Sequence, residues 1–395
     1  MVAPTRRPAG PSPVATGLPL EYSQPHTAEG DEADVTQPRH ERYDTIVVGA
    51  GPAGVMAALY AAERGSVLLI DSSALPRDKS CGGMLHELSL EALAPFGEVP
   101  ESIIRTPRHV DFRYVDWDRG IRKPTTVRFL NVDRAGFDDW LVSLLPDPVE
   151  VVGSCTLAGF GQSADSVAVR CRVGEEVLTI HCENLIGADG ARSATRRALG
   201  IGATSTYVTL QDFVELRDEL PPYFDCLYLR SMGGEFGYGY VVPKGDVAIV
   251  GSVFYPKTKR PWEKADQLLA TMREAMPQLG ESRKREACAA LCVRSIDDVA
   301  PGSGRVLLVG EAGGFMSPSS GEGISYALRS GIEAGKAVAH HAPDAALSAY
   351  REALAPLRMD IRRRLRWLPL MESRVGKYLA GFVPAPIVSH ITQGL

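Results

Sequence analysis

Gly49, Gly51 and Gly54 form a G-x-G-x-x-G turn between the apolar run at 45–48 and a stretch, 52–63, rich in Ala and Leu. That spacing suits a pyrophosphate. The first glycine permits a tight turn, the second lets the backbone approach the phosphates, and the third lets helix and strand pack closely. Pro52 and Ala53 open the helix, whose free N–H groups and positive end would face the anion. A second apolar run, 67–70, ends at Asp71, about 20 residues past the glycines, where a carboxylate is expected to take ribose hydroxyls.

Two further stretches repeat this strand-to-acid logic. Leu185 and Ile186 lead through a small-residue turn to Asp189 and a helix carrying Arg196 and Arg197, and the run 306–309 leads to Glu311. Three acid-bearing turns, separated by segments of different character, predict a nucleotide domain assembled from distant parts of the chain. Only one complete G-x-G-x-x-G occurs, so a second Rossmann domain for a nicotinamide is not expected. Gly321-Glu322-Gly323 opens a helix at Ile324 with Ala327, Leu328, Gly331, Ala334, Gly335 and Val338 as its inward stripe. A helix N-terminus aimed at an isoalloxazine would stabilise the negative charge of a reduced flavin at N1–C2=O, which points to a flavin as the nucleotide.

Between these parts the pattern changes. In 205–255, strand-like runs at 226–230, 238–242 and 247–254 are joined by turns such as Pro243-Lys244-Gly245-Asp246, with Lys244 read as a turn residue. They predict an antiparallel second sheet. Val110, Phe112 and Tyr114 alternate as in a half-buried strand, and 75–83 has loop composition. The segment 133–141 opens a helix with acids near its start. Residues 1–40 read as a disordered leader. The fold class is α/β: a Rossmann-type nucleotide-binding domain (41–75, 130–204 and 290–340) interleaved with a smaller α+β substrate domain (76–129 and 205–289) built on an antiparallel sheet. A C-terminal helical region, 341–395, follows. There Arg358, Arg362, Arg363, Arg364 and Arg366 lead into Trp367, and a solvated helix face is expected rather than contact with a membrane surface.

Composition narrows the partners. The 395 residues, 45% hydrophobic and with a net charge of −5, can bury a large core and offer no global attraction for nucleic acid. Seven cysteines, an odd number in a long chain, favour reduced thiols and a cytoplasmic setting. Cys288 and Cys292 stand at helical i,i+4 spacing and are expected in the core. His86 and the His340-His341 pair lack partners at ligand spacing, so no metal is assigned. No apolar run approaches the length of about 18 residues that crosses a membrane.

Together these residues resemble the flavoprotein superfamily that contains p-hydroxybenzoate hydroxylase, and within it the geranylgeranyl reductase family, over nearly all of 43–340. The resemblance implies FAD bound by the first glycine turn, an arginine opening an R-x-x-F-D helix, the A-D-G turn, and an acid-bearing turn followed by P-x-x-G-x-G-I. In this chain those positions are Gly49, Gly51, Pro52, Ala53, Gly54, Asp71, Arg134, Asp189, Glu311, Gly321, Glu322, Gly323 and Ile324, with Glu311 where the family usually has Asp. Cys81-Gly82-Gly83 resembles the C-G-G of the reductases. The run from Tyr238 to Lys244 resembles their Y-x-W-x-F-P-K cavity motif, with Tyr240 for Trp and Val242 for Phe, which implies a less aromatic lining. Catalytic roles are thereby implied for Cys81, Tyr238 and Tyr240, and substrate contacts for Gly82, Gly83 and Pro243. Cys81 would be a thiol beside the flavin that donates a proton or positions an alkene, its pKa lowered by Lys79. Ala312-Gly313-Gly314 lacks the histidine common in the aromatic hydroxylases, and the W-x-W-x-I-P signature of flavin halogenases is missing.

The expectation is an FAD-dependent reductase that transfers hydride to a carbon-carbon double bond of an apolar, prenyl-type small molecule. NADPH, another transient electron donor or an electron-donor protein would supply the electrons. The alternative is a monooxygenase hydroxylating a specialised metabolite through a C4a-hydroperoxyflavin. The third reading is a flavin-binding protein without turnover.

Overall fold

A computed structural model describes residues 37–202, 204–380 and 382–384, so all but the last four residues of the expected leader, and the end of the tail, lie outside the described residues. Those four residues are tied to the body: Gln37 donates to Glu176 at 2.9 Å and the Arg39 N–H donates to Glu150 at 2.9 Å.

In chain order the elements are β1 (Arg42–Val48), α1 (Pro52–Ala61), β2 (Val67–Ile70), β3 (Met84–Leu85), α2 (Glu87–Leu93), β4 (Ile104–Asp116), β5 (Ile121–Val132), α3 (Arg134–Ser143), β6 (Val149–Val152), β7 (Cys155–Gln162), β8 (Val167–Val173), β9 (Glu176–Gly187) and α4 (Ala194–Ala198). They continue with β10 (Ser205–Leu216), β11 (Tyr223–Tyr228), β12 (Phe236–Lys244), β13 (Val247–Phe254), α5 (Pro261–Ala275), β14 (Leu279–Cys292), β15 (Gly302–Ser303), β16 (Val306–Leu308), α6 (Ile324–His340), α7 (Ala346–Ala353), α8 (Ala355–Glu372) and α9 (Arg374–Ala380).

The first sheet has the order β15-β16-β9-β1-β2-β6, with β16, β9, β1, β2 and β6 paired in parallel and the β7–β8 hairpin added to β9. Its central strands read as unbroken apolar runs because both faces are covered, as parallel sheets require. Every residue of β2 is buried. One face packs on α1, α3 and α6, the other on β7 and β8. The contact between α1 and α6 is close because α6 carries glycines: a Cβ on Gly331 would lie 2.2 Å from the Ala53 carbonyl, and one on Gly335 would lie 2.6 Å from that of Ala57.

The second sheet has the order β14-β10-β13-β12-β11-β4-β5-β3. Its pairings are antiparallel except that between β4 and β11, which is parallel. Alternation along its strands sorts the side chains onto two faces. Leu210, Val241, Val250 and Phe254 pack against Ala265, Leu268 and Met272 of α5. The opposite face gathers Val110, Tyr240, Val242, Ile249 and Val253 with Phe129, Tyr207, Phe213, Phe224 and Tyr238.

Several expectations shift. The boundaries placed at 129/130 and 289/290 fall inside β5 and β14, whose pairings continue to Val132 and Cys292. Helix α2, within the segment assigned to the substrate domain, packs against the first sheet's helices, with Leu93 in that core. Cys288 and Cys292 lie on a strand, opposite Thr209 and Ser205. A spacing of four puts two residues on one face of a strand as well as of a helix. Among the described residues no helix is long and apolar enough to cross a membrane.

Candidate functional site

The glycine turn sits between β1 and α1 as its residue types demand. Gly49 has φ +107, and a Cβ there would lie 2.5 Å from the Ala188 carbonyl oxygen, so only glycine fits. A Cβ on Gly51 would meet a single atom, Nη2 of Arg77, at 2.9 Å. That guanidinium lies over the glycine and bridges Asp71 (3.5 Å) and Asp138 (3.1 Å), and its Nε is buried with no hydrogen-bond partner. Helix α1 has no side-chain cap and no acid in its first turn. A guanidinium over a glycine at a bare helix N-terminus matches what a pyrophosphate requires. Arg77 was not among the residues singled out from sequence, because a lone arginine in a loop carries no spacing signal.

The expected cofactor acids hold the turns around this cradle. Asp71 accepts the Ala50 N–H at 2.8 Å and the Ser73 N–H at 2.9 Å. Asp189 accepts Ser193 Oγ at 2.5 Å and the Thr195 N–H at 2.9 Å, fixing the approach to α4. Glu311 accepts the Leu291 N–H at 2.8 Å and stands 3.7 Å from Lys79. Glu322 caps α6 by accepting the Ser325 N–H (2.8 Å) and hydroxyl (2.6 Å), while Gly323 is the N-cap residue and Ile324 begins the helix. Gly321 adopts φ +69, and a Cβ there would lie 3.0 Å from the Tyr238 hydroxyl, so the α6 turn abuts the aromatic face of the second sheet.

Across that face lies Cys81. Its partly exposed thiol accepts the Gly83 N–H at 3.4 Å. Burial pushes the thiol pKa up, but the Arg134 guanidinium, the Gly83 N–H and, more weakly, Lys79 outweigh it and hold it below its ordinary value. The leading cation is therefore Arg134, not Lys79. Arg134 is buried at the start of α3 and held by Asp138 at 2.8 and 3.2 Å. It was expected at the cofactor and stands beside the thiol as well.

Lys244 corrects the reading as a turn residue. It ends β12 inside the protein, where its Nζ donates to the Gly83 carbonyl at 3.0 Å and the Val132 carbonyl at 2.8 Å. Burial lowers its pKa to about 7, with Cys81 and Asp133 opposing that shift. Gly83 must be glycine here: φ is +62, and a Cβ would lie 2.3 Å from the Val132 oxygen and 2.7 Å from Lys244 Nζ. The Cys81-Gly82-Gly83 loop is thus clamped from behind by an ammonium.

Tyr238 and Tyr240 neighbour each other on β12, their ring centroids 6.4 Å apart, and burial raises both hydroxyl pKa values. The Tyr240 hydroxyl accepts the Gln211 amide, whose oxygen accepts Ser80 Oγ at 2.7 Å, one residue before Cys81. Glycine at 251 makes room for the ring, since a Cβ there would lie 2.0 Å from it. The lining is more aromatic than the Tyr240 and Val242 replacements implied, because other strands contribute. Phe224 stacks on Tyr240 at 5.3 Å and on Phe112 at 5.8 Å, with Phe129 6.0 Å away. Cys288 adds a second thiol, 2.8 Å from Thr209 Oγ1 and 3.7 Å from the Ser80 carbonyl, its pKa raised chiefly by burial.

The structure therefore brings Gly321, Tyr238, Tyr240 and Cys81 into one neighbourhood through Gln211 and Ser80, with Gly82, half-buried beside Met84, next to Cys81. Pro243 is buried in β12 with its carbonyl accepting Asn131 at 3.0 Å. Among the described residues no cluster of His, Cys, Asp and Glu forms a metal site.

Comparison with known proteins bears on this geometry. The family described as FAD binding domain matches residues 42–364. Protein CbrA of Escherichia coli (strain K12) is 28% identical over 331 residues, 81% of this chain and 91% of its own length. The solved structure of a geranylgeranyl bacteriochlorophyll reductase-like protein from Thermoplasma acidophilum superposes with a TM-score of 0.74 at 22% identity, over 89% of this chain and 92% of that one. OxyS anhydrotetracycline hydroxylase from Streptomyces rimosus superposes with a TM-score of 0.65 at 21% identity, over 90% and 76%.

Proposed function

The chain belongs to the FAD binding domain family, and from that premise we propose that this FAD-dependent oxidoreductase is a reductase of carbon-carbon double bonds in an apolar, prenyl-type small molecule. The observation that carries the reading is the thiol of Cys81, which stands beside the Arg134 guanidinium that lowers its pKa and follows Ser80, the residue tied through Gln211 to the Tyr240 hydroxyl. When bound and reduced, FAD supplies a hydride equivalent. Arg77, the α1 N-terminus and Gly51 would hold its pyrophosphate. The face of Phe112, Phe224, Tyr238 and Tyr240 would hold the apolar substrate and exclude water. Adding a hydride to one alkene carbon leaves its neighbour in need of a proton, and Cys81 Sγ–H, made more acidic than an ordinary thiol by Arg134, would donate it. Tyr238 and Tyr240, kept protonated by burial, would orient the reacting bond. NADPH, or a small electron-donor protein, would visit to renew the electrons.

The test is anaerobic mixing of the photoreduced, flavin-loaded protein with prenyl alkenes of graded length while the flavin spectrum is followed. Reoxidation by an alkene, with saturated product, supports the reductase. Reoxidation only on admitting oxygen, with hydroxylated product, replaces it by the monooxygenase that the likeness to the hydroxylase OxyS keeps as the second reading. Bound flavin that no acceptor reoxidises would leave a binding protein.

A further inference from the structure

Helix α8 carries five arginines and two acids, and both acids make contacts on the buried side. Asp360 receives the Tyr326 hydroxyl and Arg364, and Glu372 receives Tyr255 at 3.0 Å and Arg294 at 2.5 Å. Its buried side presents Leu357, Ile361, Arg364 and Leu368 to the protein. The opposite side carries Met359, Arg362, Arg363, Arg366, Trp367 and Leu370, which recur at helical spacing and share one face. On that face Met359 is 70% exposed, Trp367 53% and Leu370 49%. Beyond it Val375, Leu379 and Phe382 are also exposed. The remainder of the chain offsets these arginines to a net charge of −5, so the cationic character is local.

Large apolar side chains interleaved with arginines, of which Arg363 also pairs with Asp360 at 3.0 Å while Arg362 and Arg366 are exposed, are poor ornaments for water and well matched to the boundary between phosphate headgroups and acyl chains. Trp and Arg both favour that depth, and each basic residue near an anionic surface gains about 1 kcal/mol. We infer that the exposed face of α8, continued by α9, docks on the surface of an anionic phospholipid bilayer. Such docking departs from the solvated face expected from sequence. The charge pattern selects this occupant over a second copy of the chain, whose matching face would bring arginines against arginines.

The place of the helix gives the docking a use. Arg364 reaches Ser319 at 3.2 Å, in the turn that leads to Gly321. Glu372 anchors Tyr255 and Arg294, and Arg294 lies over the ring of Tyr207, which belongs to the aromatic face. A bilayer on α8 would therefore lie next to the face that receives the apolar substrate. That use rests on the proposed reading; the docking itself does not.

The test is flotation of the full-length, flavin-loaded protein with vesicles of phosphatidylcholine alone and of phosphatidylcholine containing about a third phosphatidylglycerol. Binding to the anionic vesicles, weakened by salt and reduced roughly 30-fold in Arg362→Gln/Arg366→Gln, is expected. Trp367→Ala/Leu370→Ala should also release the protein, with flavin content and melting temperature unchanged in both variants because the altered side chains are exposed. No binding to anionic vesicles, or binding that neither variant weakens, would overturn the inference. So would light scattering that shows a dimer dissolved by Trp367→Ala/Leu370→Ala, or vesicle binding that emerges only once residues 385–395 are deleted. None of these readouts uses turnover, so the docking can fail while the reductase reading stands.

Discussion

Lys244→Met isolates the most consequential group that sequence concealed. In the native protein this lysine has a pKa of about 7 against an ordinary 10.5. Between those values the unfolded chain holds a proton that the native state lacks, so unfolding takes up protons and stability rises with pH. Above pH 10.5 both states are neutral and nothing is lost; as pH falls towards 7 the native state gives up about 1.4 kcal/mol per unit, roughly 5 kcal/mol across the interval. From about pH 7.5 to about 9.5 the wild type should gain about 2.5 kcal/mol that Lys244→Met does not. The comparison of slopes is safer than that of levels. Removing Nζ leaves the Val132 carbonyl without its ammonium donor, a loss of about 1–3 kcal/mol, while it also relieves a buried charge. The assay is urea unfolding of both proteins at several pH values and fixed flavin concentration, with the difference in unfolding free energy plotted against pH. Contributions from the tyrosines and cysteines cancel in that difference. Parallel curves would refute the burial argument and return Lys244 to an ordinary surface amine.

Cys81→Ala should retain FAD and lower turnover on the order of 100-fold, measured by product formation with an alkene that reoxidises the reduced wild type; wild-type turnover would remove the thiol from the chemistry. Arg134→Gln should move the pH midpoint of Cys81 alkylation upward, and further than Lys79→Gln does; peptide mapping after iodoacetamide treatment reads it, and the reverse order would refute the ranking of the two cations. In Gly51→Val the new side chain meets the flexible end of Arg77, so the fold should persist while FAD affinity falls on the order of 100-fold by fluorescence titration; a flavin-replete variant would displace the pyrophosphate from this turn. Gly251→Ala drives a methyl into the Tyr240 ring and should lower stability by about 1–3 kcal/mol in thermal unfolding; an unchanged melting temperature would mean that the ring moves freely.

What could be read from sequence follows the range of the interaction involved. The glycine turn, its flanking strands and the acids at strand ends are built from neighbouring residues, so their order alone predicts the parallel sheet and the helix start over Gly51. Lys244 lies in Pro-Lys-Gly-Asp, which has turn composition, and its burial is imposed by Gly83 and Val132, both more than a hundred positions earlier. The aromatic face was underestimated for the same reason: a motif on β12 reports only Tyr238 and Tyr240, whereas Phe112 and Phe224 arrive through the parallel pairing of β4 with β11. Cys288 and Cys292 fit either periodicity, and only pairing with β10 decides. Arg77 owes its place to the space above a glycine, which no one-dimensional pattern encodes.

The pKa directions sort the residues that sequence grouped together as catalytic. Tyr238 and Tyr240 are pushed upward by burial, so near neutral pH they neither lose nor regain a proton and can act only as fixed donors and apolar walls. Cys81 is pulled downward and Lys244 stands at about 7, which brings both towards the range where protons exchange readily. Each also favours the other's charged form: a thiolate raises the lysine's affinity for its proton, and the ammonium holds the loop that carries the thiol. A proton given up by Cys81 to a substrate carbon leaves a thiolate that faces the Arg134 guanidinium and favours the protonated form of Lys244, and this stabilises the state produced by the transfer. Under the reductase reading the division of labour follows from that coupling. The aromatic sheet sets where the alkene lies, and the cations behind the Cys-Gly-Gly loop set how readily its proton arrives.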